Sequence, residues 1–216
     1  MQVITDCKDA IFETDKYDVV LVSTTIYSML HGGFPMKVGH RYPEVMEIND
    51  KQPYGDQRRL GSRLTVKTKD DGPIVSLLYC CQYPNSTKEF VDYEALEHCL
   101  RTANAEFKGK NVMCDILGAT KFNGNGDREK CLELMRTCLC DVNLTVYDYP
   151  QYSSVEEWKR CRKYLAELKK SDREKYDRLG LSVDELAVKL YAKSASRLKP
   201  KKQRGEGGKF NLNINI

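Results

Sequence analysis

Short apolar runs and helically spaced apolar stripes alternate through residues 1–150. Val3-Ile4 and Asp18-Val19-Val20-Leu21-Val22 read as strands, and the second is apolar at consecutive positions, as a strand covered on both faces is. Leu64-Thr65-Val66-Lys67 and Ile74-Val75-Ser76-Leu77-Leu78-Tyr79 flank the turn-forming cluster Asp70-Asp71-Gly72-Pro73, which predicts a hairpin. Tyr93, Leu96, Leu100, Ala103 and Phe107 recur at spacings of three and four, which places one buried stripe on a helix. Residues 111–117 return as a strand, residues 129–140 are helical through Leu132, Leu134, Met135 and Leu139, and Leu144-Thr145-Val146-Tyr147 closes as a last strand. This alternation predicts an α/β layered sheet.

Beyond residue 150 the pattern changes. Ser154-Val155-Glu156-Glu157 is a capping box for a helix carrying Val155, Trp158, Cys161, Leu165 and Leu168 on one side, and Ser182-Val183-Asp184-Glu185 opens another after the stop at Gly180. From residue 195 the chain is polar, basic and glycine-rich, which reads as a flexible tail. It ends on Phe210, Leu212, Ile214 and Ile216 alternating with Asn211, Asn213 and Asn215, a strand pattern suited to a sheet edge or else a frayed end. The expected organisation is a body over 1–150, a helical extension over 151–194 and a tail over 195–216.

Charge follows the same division: residues 1–150 hold 18 Lys and Arg against 22 Asp and Glu, and the remainder holds 17 against 9. The acidic body and basic extension therefore call for separate explanations. No run approaches the roughly 20 apolar residues of a spanning helix, and the N-terminus lacks a signal-peptide pattern, so no membrane contact and a cytoplasmic location are expected. Nine cysteines form no pair of C-x-x-C units, which predicts reduced thiols and no metal site.

In such sheets ligands sit where the carboxyl ends of the strands open into loops. Two loops stand out. One contains His31-Gly32-Gly33-Phe34; the other reads Gly118-Ala119-Thr120-Lys121-Phe122-Asn123-Gly124-Asn125-Gly126-Asp127 and runs into a helix. Glycines before a helix N-terminus let backbone N–H groups converge on an anion such as a pyrophosphate. Taken singly, each loop could equally be a turn, and Asp127 a helix cap. Walker and Rossmann spacings are both absent.

The order of elements, Asp9 after the first strand, the Gly32-Gly33-Phe34 loop and the loop from Gly118 to Asp127 resemble the macro domain family over residues 1–150. Tyr54-Gly55-Asp56, residues 122–127 and Tyr147-Asp148-Tyr149 resemble its branch of phage phosphatase-like proteins and ADP-ribosyl-glutamate hydrolases. The resemblance implies a three-layer fold, a central mixed sheet flanked by helices, and binding of ADP-ribose or ADP-ribose 1''-phosphate without a cofactor. It places Asp9 on the adenine amino group and Gly32, Gly33 and Phe34 along the pyrophosphate and distal ribose. It places Gly118, Ala119, Thr120, Phe122, Asn123, Gly124, Asn125 and Gly126 around the remaining phosphate oxygens, with Tyr149 over the adenine or in the core of a domain junction.

Two departures bear on catalysis. Where many macro domains carry Asn-Ala-Asn, this chain has Ser23-Thr24-Thr25, whose hydroxyls, Thr25 among them, offer hydrogen bonds of different geometry to a ribose. The nucleophilic lysine of the glutamate-linked hydrolases has no counterpart in Tyr79-Cys80-Cys81-Gln82. Asp127 matches the family's aspartate and could orient or deprotonate a water; His31 is a second candidate acid/base or a loop histidine with no task. Three functions follow: a hydrolase of ADP-ribose derivatives, a non-catalytic reader of ADP-ribose or ADP-ribosylated targets, and a protein or nucleic-acid adaptor acting through the basic tail.

Overall fold

The computed structural model describes residues 1–5, 10–30, 32–82, 88–120, 123–148, 163 and 166–178. The chain divides into two units, Met1–Gln151 and Tyr152–Ile216. The first holds strands β1 (Gln2–Thr5), β2 (Val19–Thr25), β3 (Arg63–Lys67), β4 (Ile74–Cys81), β5 (Asn111–Cys114) and β6 (Asn143–Asp148) in one sheet of order β1-β6-β5-β2-β4-β3. Its neighbours are parallel except for the antiparallel β3–β4 hairpin. At the hairpin turn Asp70 and Asp71 both have positive φ (52° and 54°) and Gly72 N–H donates to Lys69 O, which fits the expected turn chemistry.

Asp18, just before β2, holds the three central strands in register. Its backbone N–H donates to Asn111 O, its carboxylate accepts from Asn111 N–H at 2.8 Å, and its carbonyl accepts from Ile74 N–H. All seven residues of β2 are buried. On one face Val19, Leu21, Leu78, Cys80, Val112, Cys114, Leu144 and Val146 join a core with Leu96 and Leu100 of α3 (Tyr93–Glu106) and Leu132 and Met135 of α4 (Arg128–Cys138). Strand periodicity turns Val20, Val22, Leu77, Tyr79 and Met113, also buried, to the other face. There a 3₁₀ segment, Ala10–Lys16, packs against α1 (Gly33–Arg41), which also meets β2. Helices on both faces of a mixed sheet give the three layers expected.

Two expectations need correction. Residues 111–117 do not form one strand: β5 stops at Cys114 and the chain turns, with Ala119 N–H donating to Ile116 O. Ile116 and Leu117 are apolar because they enter the α3–α4 core, so the run records burial and not strand length. The stretch after Gly32 is not simply a loop. Gly33 and Phe34 open α1, and α2 (Pro43–Asp50) follows. The glycines and prolines that hid these helices are part of them: Pro35 lies in the first turn of α1 and Pro43 begins α2, where no intrahelical N–H bond is lost. A Cβ at Gly39 would meet Met46 Cγ at 2.7 Å, so the missing side chain lets the two helices meet.

In the second unit, residues 166–171 are helical and α5 (Arg173–Arg178) follows. Asp172 joins them, donating its N–H to Leu168 O and accepting at its own carbonyl from Tyr176 N–H. Leu168, predicted for the buried stripe, is buried, as is Tyr176. The two capping boxes and the alternating C-terminal segment lie outside the described residues.

Candidate functional site

β2 and β5 are parallel neighbours, so their carboxyl ends open on the same edge of the sheet. The chain leaving β2 reaches α1 and the chain leaving β5 reaches α4. The two exits are stitched together by Ser23. Its fully buried hydroxyl accepts from Gly118 N–H at 3.0 Å and from the Asn123 side-chain amide. Thr24 donates to Met29 O at 3.2 Å. Two of the three hydroxyls expected to meet a sugar are therefore engaged within the protein, leaving Thr25.

The second glycine loop is folded on itself. Gly126 N–H donates to Gly118 O, the N–H groups of Asn123 and Asn125 donate to Thr120 O, Ala119 N–H to Ile116 O, and Asp127 N–H to the Tyr93 hydroxyl. Gly124, at φ +99°, could not carry a side chain: a Cβ there would lie 2.1 Å from Gly118 O. Its carbonyl accepts from Phe90 and Val91 N–H. The loop's amides, expected to converge on an anion, are thus largely committed to closing the loop. Gly118, Ala119, Thr120, Asn123, Gly124, Asn125 and Gly126 form a hydrogen-bonded wall beside Ser23.

The two helix N-termini at this edge differ. Asp127 caps α4, its Oδ1 accepting from Lys130 N–H at 2.8 Å, so a carboxylate already occupies that helix end. Asp127 is exposed. The N-cap of α1 is Gly32, which has no side chain to offer, and the helix's first turn carries no acidic residue. The first four amides of a helix lack intrahelical partners, and the helix dipole favours an anion there. Gly33 has φ +56°, and among the described residues a Cβ added there would meet Pro35 Cδ alone within 4 Å, at 3.9 Å. Phe34 is buried in the fold.

Three segments bring buried polar atoms without hydrogen-bond partners to the same edge: the Thr25 hydroxyl at the end of β2, both carboxyl oxygens of Asp115 just after β5, and the Thr120 hydroxyl in the glycine loop. Leaving such groups unpaired costs about 1–3 kcal/mol each, and more for charged ones. Asp115 is 1% exposed, and burial pushes its carboxyl up to about 7. Cys80, fully buried and hydrogen-bonded to Cys81, has its thiol pushed well above the usual range by that hydrogen bond and by burial, so Cys80 does not stand in as a thiolate for the missing lysine. Asp9, His31, Phe122 and Tyr149 lie outside the described residues.

No protein-family model and no curated relative matches the sequence. Solved structures do. The macrodomain of Mycobacterium tuberculosis DarG superposes with a TM-score of 0.53 at 18% identity, over 69% of this chain and 99% of that one. Thermosipho africanus DarTG in complex with ADP-ribose gives 0.54 at 14% identity, over 73% of this chain and 44% of that one. The macrodomain of Thermus aquaticus DarG gives 0.50 at 9% identity, over 69% and 97%. The chain has the macrodomain fold.

Within this fold, sequence reasoning missed Asp115. Its signal was there: a carboxylate inside the run Val112-Met113-Cys114-Asp115-Ile116-Leu117, where an ionisable residue is the anomaly. It also missed Arg59, 8% exposed, whose Nη1 donates to Ile26 O, Ser28 Oγ and Pro53 O while the guanidinium lies 3.9 Å from the Tyr79 ring centroid. Arg59 thereby pins the turn leaving β2 to the loop that follows α2. No helix among the described residues is long and apolar enough to cross a membrane.

Proposed function

We propose that this macrodomain binds ADP-ribose or a derivative at the carboxyl edge of β2 and β5, and hydrolyses ADP-ribose 1''-phosphate there with Asp127 positioning the water. The observation that carries the binding reading is the set of unpartnered buried groups, Thr25, Asp115 and Thr120, on the edge where α1 begins at the glycine pair Gly32-Gly33. A ligand rich in hydroxyls and carrying a pyrophosphate supplies what each lacks: hydroxyl partners for the side chains and an anion for the helix end. The Thermosipho neighbour, solved with ADP-ribose, supports the same ligand. Asp127 Oδ1 is engaged by the cap, and Oδ2 remains to accept from a water.

A second reading, a non-catalytic reader of ADP-ribose, is favoured by one observation: capping alone gives Asp127 a complete structural role. Calorimetric titration with ADP-ribose tests binding, and phosphate release from the 1''-phosphate then separates the two. Binding with turnover supports the hydrolase, binding without turnover the reader, and no binding removes both.

A further inference from the structure

We infer that Asp115 is the acceptor that seats a vicinal diol of the ligand's ribose. The inference rests on the ADP-ribose reading and adds a residue to it. Asp115 follows β5 directly, and its side chain is almost wholly buried with both oxygens unpartnered. Ionised, it can only accept, so a ligand group that meets it in that state donates to both oxygens. A phosphate offers only acceptors and like charge. A metal would need further ligands, and among the described residues no three His, Cys, Asp or Glu side chains gather to hold one. A cis diol presents two adjacent O–H donors, which match the two oxygens of one carboxylate.

The surroundings agree. Ser23 and Asn123, the polar side chains of the stitch between the loops, are hydrogen-bonded to each other and cannot substitute for Asp115 without breaking the stitch. The Thr25 and Thr120 hydroxyls, also unpartnered, can each donate or accept and so serve the remaining sugar oxygens. The N-terminus of α1 belongs to the chain leaving β2, whereas Asp115 belongs to the chain leaving β5. Phosphate and carboxylate thus have separate stations.

The test titrates the full chain, as wild type, Asp115→Asn and Asp115→Ala, with ADP-ribose, with ADP-ribose whose diols have been cleaved by periodate, and with inorganic pyrophosphate. Both variants should lose about tenfold or more in affinity for ADP-ribose while pyrophosphate binding is unchanged. Wild type should lose a similar factor on the oxidised ligand, and the variants little further. Unchanged or tighter ADP-ribose binding by Asp115→Asn, or equal losses for ADP-ribose and pyrophosphate, overturns the inference with the ADP-ribose reading intact. Wild type that binds no ADP-ribose overturns that reading and this one with it. Should either variant fail to fold by circular dichroism, the oxidised ligand on wild type decides alone: undiminished affinity overturns the assignment.

Discussion

Replacing Asp115 by asparagine should stabilise the ligand-free protein at alkaline pH and much less at acid pH. Asn keeps the shape but cannot ionise, so the comparison isolates the charge. In the folded protein burial raises the Asp115 carboxyl from 3.8 to about 7, a shift of about three units. At 1.36 kcal/mol per unit, ionising it in place costs the folded state roughly 4 kcal/mol once the pH is well above 7. The sign follows from the raised value. The neutral carboxyl's contribution is fully present below the unfolded carboxylate range, near pH 4, and is lost as pH rises through about 7. The side chain is almost entirely buried, so solvent screening does not reduce the figure as it would at a surface.

The buried Asn amide adds its own cost of about 1–3 kcal/mol, but that cost does not change with pH. The measurement is therefore a pair of urea unfolding series from pH 4 to pH 9, with the stability difference plotted against pH. It should grow in favour of the variant by roughly 4 kcal/mol across that range, about 10 °C in melting temperature for a chain of this size. Parallel curves refute the reasoning: they mean that Asp115 is solvated or paired in the folded protein and that the orphaned carboxyl does not exist in solution.

Ser23→Ala removes the acceptor shared by Gly118 N–H and the Asn123 amide, and should cost about 2–4 kcal/mol in urea unfolding together with weaker ADP-ribose binding. Gly33→Val should fold with a loss of about 1–3 kcal/mol for a side chain at positive φ, yet lose ADP-ribose binding in calorimetry, because a branched side chain at the start of α1 would block close backbone approach of a phosphate. Gly124→Ala should fail differently, by loss of folded protein in a thermal melt, since its Cβ strikes the Gly118 carbonyl. Asp127→Asn keeps the cap on α4 and should leave the melting temperature nearly unchanged; if Asp127 is the general base, phosphate release falls by about 10²-fold or more with affinity retained.

What the sequence made legible is what local pattern encodes. The β3–β4 hairpin, α3, α4 and β6 follow from period and turn chemistry and lie where expected to within a few residues. The helices α1 and α2 were hidden because their apolar stripe is interrupted by Gly39 and opened by Gly33, Pro35 and Pro43. These residues lower helix propensity in isolation but here serve packing and helix starts. Strand order was equally out of reach: that β5 lies beside β2, across some ninety residues of chain, is a long-range fact no local window contains. Without that adjacency, the partnership of Ser23 with Gly118 and Asn123 could not be foreseen.

The same adjacency changes what the two glycine loops do. Read along the chain, both look like phosphate cradles, and the longer one more so. In three dimensions the longer loop spends its amides on itself and puts Asp127 at its helix end, a carboxylate where an anion would otherwise sit. A pyrophosphate seated on that helix end would meet like charge in place of a helix dipole. The shorter loop leads into a helix whose N-cap is a glycine and whose first turn carries no acidic residue. The electrostatics therefore favour the pyrophosphate over α1, with the longer loop as the wall that holds Asn123, Thr120 and Asp127 against the ligand's sugar end. If that division is right, raising salt should weaken ADP-ribose binding in wild type. Placing an acidic residue at the start of α1, as in Gly33→Asp, should abolish binding, whereas the neutral Gly33→Asn, which also tolerates positive φ, should retain more of it. Equal affinities for the Asp and Asn variants would return the pyrophosphate to the longer loop.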